Sequence, residues 1–353
     1  MALLEMQGFD VTVMGSGELD YLPGWLGSGT SNPDLVAVYG RRAGAAMSLI
    51  NTGRAEYNIG SEKTTLFLCF ALRAAQPAGV PGTPCTYLVS FNNAAALCQC
   101  CLDRTAAHRL RLLAAPGGAV LAQSADGVLV PGIYYYLEVK IVCGAAGSID
   151  VKIDGVNVLS GAGINTRQQG AGGVQKLVHA PYTEGLTYTT YIDDWYLLDD
   201  TGPAPYNTWF GDKKIEGILP AVDGFYEQWT PSTGVDSAAC IKDTGSSTWD
   251  DKWVSTDVLN EKDSFTLVPV GTWPLVYVVE ARSYWRNYQT GQAGLKHILR
   301  ISGTDYYGAE ALHGDTNEWQ MDRWDQNPDT AADWTLADIQ AMQYGFELTA
   351  QIP

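Results

Sequence analysis

Ile149-Asp150-Val151-Lys152-Ile153-Asp154-Gly155-Val156-Asn157-Val158-Leu159 decides the fold class of this chain. Apolar and polar side chains alternate on both sides of Asp154-Gly155, a dipeptide suited to a two-residue hairpin turn because its central positions need φ above zero. Such a turn sets Ile153 opposite Val156 and Val151 opposite Val158, so these four side chains are expected on one buried face. Asp150, Lys152 and Asn157 then face water. A sheet with one buried and one wet face is an antiparallel layer that needs a second layer to pack on.

The pattern extends outward from the hairpin. In Tyr134–Cys143 the apolar set is Tyr135, Leu137, Val139, Ile141 and Cys143, with Glu138 and Lys140 opposite. Further strands are expected at Asp34–Tyr39, Thr64–Leu72, Thr86–Phe91, Leu97–Asp103, Arg109–Ala114 and Thr189–Leu198, divided by Pro/Gly turn signals. After Leu198 the chain enters Asp199-Asp200-Thr201-Gly202-Pro203-Ala204-Pro205, which can neither extend a ladder nor form a helix. Residues 1–200 are therefore read as one domain, 201–212 as a linker and 213–353 as a second domain. The second carries strand patterns at Lys213–Leu219, Asp263–Leu267, Val276–Tyr284, Leu295–Ser302 and Glu318–Trp324. Near its end Thr335 can cap a helix with Asp338 three residues on; Leu336, Ile339 and Met342 share a face, and Gly345 supplies a stop before a closing strand. The expected fold is all-β: two β-sandwich domains, the second with one short helix near its C-terminus.

Composition supports this and narrows function. Glycine numbers 38, tyrosine and tryptophan 19 and 11, and apolar residues make up 46% of the chain, the profile of Gly-punctuated strands with filled cores. A formal net charge of −17 repels phosphate and argues against nucleic-acid partners. No run approaches the ~20 apolar residues of a membrane-spanning helix. Met1 to Asp10 lacks the basic start and apolar core of a signal peptide, so synthesis in the cytoplasm is expected. Seven cysteines cannot all pair within the chain. Cys98, Cys100 and Cys101 crowd into one alternating run, with Cys98 and Cys100 expected on a shared face, and buried free thiols are the simplest reading of them.

Several stretches carry a resemblance. Tyr136-Leu137-Glu138-Val139-Lys140, Gly147-Ser148-Ile149-Asp150-Val151-Lys152 and Ile192-Asp193-Asp194-Trp195-Tyr196-Leu197-Leu198-Asp199 resemble the last strands of laminin-G/concanavalin-A-like jelly rolls. Together with Gly211-Asp212-Lys213-Lys214-Ile215-Glu216, Gln228-Trp229-Thr230-Pro231 and Trp334-Thr335-Leu336-Ala337-Asp338-Ile339, the chain resembles virion proteins of tailed bacteriophages that carry such a domain. The resemblance implies a concanavalin-A-like jelly roll in the first domain. It also implies a tail, neck or capsid-surface component located in the virion and made in the host cytoplasm. The implied partners are other virion proteins and copies of itself in a closed homo-oligomer.

Sites are sparse on this reading. Some laminin-G-like domains hold a calcium ion (Ca2+) with Asp carboxylates, which makes Asp193 and Asp194 the metal candidates; the bland alternative is a loop ending at a strand. Otherwise no cofactor is expected. Trp249 and Trp253 are candidates for stacking on a neighbouring subunit or on a host glycan. Carboxylate pairs spaced for glycoside hydrolysis are missing, Met14-Gly15-Ser16-Gly17 lacks the nucleophile-elbow spacing, and His297 on the face of Leu295, Leu299 and Ile301 reads as a satisfied half-buried histidine. The expectation is a non-enzymatic structural component acting through protein-protein packing. A carbohydrate-binding module for a host surface glycan is the alternative, and a polysaccharide hydrolase the second alternative.

Overall fold

In the computed structural model of the chain, Asp154 (φ 49°) and Gly155 (φ 80°) both occupy the left-handed region and close the hairpin as its turn chemistry demands. The structure describes residues 3–9, 22, 24–28, 34–36, 40–42, 45–50, 53–74, 86–180, 189–234, 236–241, 252–269, 271 and 275–353. Two units share the chain, Met1–Gly217 and Ile218–Pro353. Both are built of antiparallel sheets, so the chain is all-β, a pair of β-sandwich units.

The strands of the first unit begin with β1 (Leu3–Gln7), β2 (Trp25–Ser28), β3 (Asp34–Val36), β4 (Ala46–Ile50) and β5 (Arg54–Lys63). Next come β6 (Thr65–Ala74), β7 (Thr86–Asn92), β8 (Cys98–Arg104), β9 (Leu110–Leu113) and β10 (Val120–Gln123). The last are β11 (Tyr134–Val142), β12 (Gly147–Ile153), β13 (Val156–Ile164), β14 (Val174–His179) and β15 (Thr189–Asp199). One sheet runs β13-β12-β11-β6-β15-β4-β3 with β1 also on β15, and the other β10-β9-β8-β7-β14-β5-β2. The two-layer jelly roll foreseen from the sequence is present.

The hairpin register differs in one respect from the alternation. Ile153 pairs with Val156 and Lys152 with Asn157, but Val151 pairs with Leu159. Val158 is an extra residue in β13, and this bulge turns Leu159 inward to 2% exposure while Val156 at the turn stays 66% exposed. Residues 201–212, expected as a linker, lie on the first unit. Trp209 packs on Phe67, Phe210 on Tyr196, the Gly211 N–H donates to Glu138 at 3.0 Å, and Asp212 pairs with Arg41 at 2.6 Å. This covering explains why Leu66-Phe67-Leu68-Cys69-Phe70-Ala71 in β6 is an unbroken apolar run: both faces are dry.

Between the layers, Trp195 of β15 meets Trp25 and Tyr57 of the facing sheet at ring distances of 5.0 and 5.1 Å. Its indole N–H donates to His179 Nε2 at 3.1 Å, so the proton of this imidazole sits on Nδ1, 2.9 Å from the Leu88 carbonyl oxygen. Burial pushes His179 down to about 4, against the smaller pull of the Leu88 bond.

The second unit contains β16 (Pro220–Glu227), β17 (Thr230–Pro231), α1 (Ser237–Ile241), β18 (Val254–Ser255), β19 (Lys262–Leu267) and β20 (Val279–Trp285). It continues with β21 (Gln292–Ile301), β22 (Thr304–Tyr307), β23 (Ala311–His313), β24 (Glu318–Trp324), α2 (Leu336–Ala341) and β25 (Gln343–Ile352). A sheet of order β16-β19-β25-β21-β22, with β23 also on β21, is faced by the ribbon β20-β24. Trp285 of the ribbon meets Phe346 of β25 at 4.7 Å, closing the sandwich. The capping box of α2 forms as its residues foretell, Thr335 and Asp338 each bonding the other's backbone N–H.

Three expectations for this unit change. Lys213–Leu219 is not a strand; pairing starts at Pro220. A second short helix, α1, is held by Asp223, whose carboxylate accepts the Ser237 and Ala238 N–H groups at 3.1 and 2.7 Å. Gly345 lies within β25 and does not end α2, because a Cβ there would stand 2.2 Å from the Asp263 carbonyl oxygen.

Asp263 itself is fully buried, and burial, helped by the Asp223 carboxylate, raises its carboxyl to about 7. Folded protein therefore keeps a proton that unfolded chain releases near pH 4, so the contribution of Asp263 to stability is greatest below pH 4 and declines as pH rises to about 7. Asp263→Asn is expected to flatten that decline and to raise stability at pH 8 by roughly 2–4 kcal/mol. Urea unfolding at several pH values checks this; an unchanged pH slope contradicts it.

Candidate functional site

Strand alternation in the second unit places a polar residue on the inward face of three separate strands. In β20 the inward set is Ala281, Ser283 and Trp285; in β24 it is Gln320 and Asp322, paired with Ser283 and Ala281. In β21 the inward set is Leu295, His297, Leu299 and Ile301, with His297 beside Phe346 and Leu299 beside Tyr344 of β25. When the ribbon packs on the sheet, Ser283 and Asp322 close on the two ring nitrogens of His297.

His297 is fully buried. Its Nδ1 lies 2.8 Å from Asp322 Oδ2, and its Nε2 hydrogen-bonds the Ser283 hydroxyl. Burial raises the Asp322 carboxyl, but the bonds from His297, the Ala309 N–H and Gln320 outweigh it and hold the group below the usual carboxylate range. An ionised carboxylate only accepts, so Nδ1 carries the imidazole proton and Nε2 is left to accept from Ser283. Hydroxyl, imidazole and carboxylate thus stand in series, the order that nucleophile, base and orienting acid take in acyl-transfer catalysis.

The surroundings fix this triad. Asp322 Oδ1 accepts the Ala309 N–H at 2.8 Å, and the Gly308 N–H donates to the His297 carbonyl at 2.9 Å. Gln320 donates to Asp322 Oδ2, the Ala309 carbonyl and the Leu295 carbonyl, and bonds His313 Nε2 at 3.1 Å. The Tyr344 ring is 5.6 Å from His297, and its hydroxyl donates to the Arg282 carbonyl oxygen at 3.5 Å. Burial pushes the Tyr344 phenol well up, so it remains a proton donor. Ser283 as a residue is half-buried.

The sites read from the sequence lie elsewhere. Asp193 Oδ2 accepts the Arg41 N–H at 2.7 Å and its Oδ1 the Asp194 N–H at 2.8 Å, while Asp194 Oδ1 accepts the Ile215 N–H at 2.8 Å. Both side chains tie backbone segments to the bulge in β15, and burial followed by the neighbouring Asp193 raises Asp194 to about 7. Among the described residues no three or more His, Cys, Asp or Glu side chains gather as metal ligands. Trp249 lies outside the described residues. Trp253 is 45% exposed, with its backbone bonded to Ser232. His297 lies with Leu295 and Leu299 as its spacing implied, and what satisfies it is Ser283 and Asp322. The signal that could have found the trio was a polar residue on the inward set of each strand; separations of 14 and 25 residues hid their convergence.

No family model and no curated protein matches the sequence. Solved structures match part of it. An endo-beta-1,4-glucuronan lyase from the fungus Trichoderma reesei is 11% identical, with 52% of this chain and 93% of that one covered at a TM-score of 0.40. An alginate lyase in complex with an alginate trisaccharide is 12% identical, covering 56% and 98% at 0.41. A carbohydrate esterase from a Shiga toxin-encoding bacteriophage is 14% identical, covering 55% and 98% at 0.36. The expectation of a non-enzymatic structural component is corrected at this point. It required the absence of a reactive constellation, whereas in the second unit Ser283, His297 and Asp322 are hydrogen-bonded in series.

Gly308 gives a way to disturb the acid alone. A Cβ at this position would stand 2.3 Å from the Asp322 carboxyl, so Gly308→Ala must push that carboxyl off His297. The expected outcome is loss of the Asp322 bond with a destabilisation of about 1–2 kcal/mol. Proton NMR of the imidazole N–H against a urea melt measures both, and an unperturbed imidazole resonance contradicts the assigned contact.

Proposed function

We propose that the second unit is a serine hydrolase for carboxylic esters. The observation that supports this reading is the Ser283-His297-Asp322 arrangement, with His297 bonded through both ring nitrogens to the groups a general base needs. Ser283 Oγ attacks the ester carbonyl carbon while His297 Nε2 takes the hydroxyl proton. As the ester C–O bond breaks, His297 returns the proton to the departing alkoxide, leaving Ser283 acylated. Water, deprotonated by the same nitrogen, then releases the acid and restores the hydroxyl. Asp322 stays ionised throughout and stabilises the imidazolium.

Aryl acetates and O-acetylated sugars are the substrates to assay with the full chain. Ser283→Ala is expected to lower kcat/KM by about a thousandfold or more, and Asp322→Asn by a comparable factor through the wrong tautomer. A fluorophosphonate probe should label the wild type at Ser283. Wild-type protein that neither takes the label nor turns over ester faster than Ser283→Ala overturns the reading.

A second reading, glycan binding without chemistry, has one observation behind it. On the opposite face of the same sheet, Arg300 stacks over Phe225 at 4.0 Å and Lys262 over Tyr226 and Tyr307 at 5.0 and 5.2 Å. Asp305 joins the two cations at 2.6 and 3.0 Å, and Phe225 and Tyr307 remain 64% and 44% exposed. Exposed rings beside fixed polar groups suit a sugar ring, which has an apolar face and a hydroxyl rim. Glycan-array binding that falls at least about tenfold in Phe225→Ala and Tyr307→Ala is expected. Array signal indifferent to both changes removes this reading.

A further inference from the structure

Cys98 and Cys101 are three residues apart on one strand, a spacing that normally sends side chains to opposite faces. The pairing of β7 with β8 changes this. Ser90 pairs with Cys101, Phe91 with Cys100 and Asn92 with Cys98, so Gln99 is an extra residue with no partner of its own. Gln99 is instead held by the backbone of Gln169, donating to its carbonyl oxygen and accepting its N–H, each at 3.0 Å. The bulge turns Cys100 into the core with Phe91 and leaves Cys98 and Cys101 together on the outer face. The expected sharing of a face by Cys98 and Cys100 is thereby corrected.

Their partners Asn92 and Ser90 are two residues apart, which sets a Cα span of roughly 6.6 Å, at the upper end of the disulfide range, so closing the bond requires the two side chains to tilt together. The two thiols are free, and each perturbs the other's protonation. Cys98 is half-buried and Cys101 fully buried. The contacts separate them chemically. Hydrogen bonds from Cys101 first, then Ser90, against opposing burial, draw Cys98 below the ordinary thiol value. The same bond, with burial, pushes Cys101 far up. Cys100 is pushed up by burial and takes no part.

We propose that Cys98 and Cys101 are a reversible dithiol-disulfide site that exchanges with small-molecule disulfides. The accessible Cys98 thiolate attacks one sulfur of the substrate disulfide, forming a mixed disulfide and expelling one thiolate. Cys101 then loses its proton and attacks Cys98 Sγ, expelling the second thiolate and closing the intramolecular bond. Two protein thiols are oxidised, one substrate disulfide is reduced, and two substrate thiols leave with the two protons.

Full-length protein equilibrated in buffers of oxidised and reduced glutathione, then alkylated and peptide-mapped, tests this without reference to ester hydrolysis. Cys98 and Cys101 should lose reactivity together, with a mass decrease of about 2 Da that dithiothreitol reverses. Cys101→Ser should stop at a glutathione adduct on Cys98, and Cys98→Ser should leave Cys101 unreacted. Cys100→Ser should behave as the wild type. Both thiols still alkylated in oxidised glutathione, or no adduct on Cys98 in Cys101→Ser, overturns the proposal.

Discussion

A histidine sealed between two β-layers is costly unless its ring nitrogens find partners, and His179 and His297, one in each unit, find both. Leaving one such nitrogen unpaired costs on the order of 1–3 kcal/mol, a large part of a domain's stability. In the first unit His179 is satisfied by a donor-only indole and a backbone carbonyl, which fixes a neutral ring with no task beyond packing. In the second unit His297 is satisfied by a carboxylate and a hydroxyl. The same requirement is met by an indole and a carbonyl in one case and by a hydroxyl and a carboxylate in the other. The difference lies in partner chemistry, since both rings are equally buried.

Local chemistry was legible in the sequence wherever the responsible residues are neighbours in the chain. The Asp154-Gly155 turn, the capping box of Thr335 and Asp338, and the strand from Tyr134 to Val142 all formed as their spacing implied, although Glu138, expected opposite the apolar set, is buried. Features set by a partner strand were not legible. The bulge at Val158 depends on where β12 ends, and the bulge at Gln99 depends on β7 and on Gln169. Gly345 resembled a helix stop because glycine serves that purpose often, yet its function here is to admit the Asp263 backbone.

The candidate site was hidden for the same reason. Each member, taken alone, is one polar residue within an alternating strand, and the bland reading of each was sound. Only the placement of the β20-β24 ribbon over β21 and β25 joins them. The metal expectation at Asp193 and Asp194 rested on residue type, whereas the structure uses those carboxylates to receive backbone N–H groups at 2.7 and 2.8 Å. Acidic side chains near a strand start serve this structural purpose as readily as they ligate a cation.

The central claim is that His297 stands in the tautomer of a general base, protonated on Nδ1 toward Asp322 and bare on Nε2 toward Ser283. Nitrogen-15 NMR of the imidazole at neutral pH reads this directly. The account requires a protonated-type Nδ1 with a downfield proton and an unprotonated-type Nε2. A ring carrying its proton on Nε2, with Nδ1 bare beside the carboxylate, contradicts it.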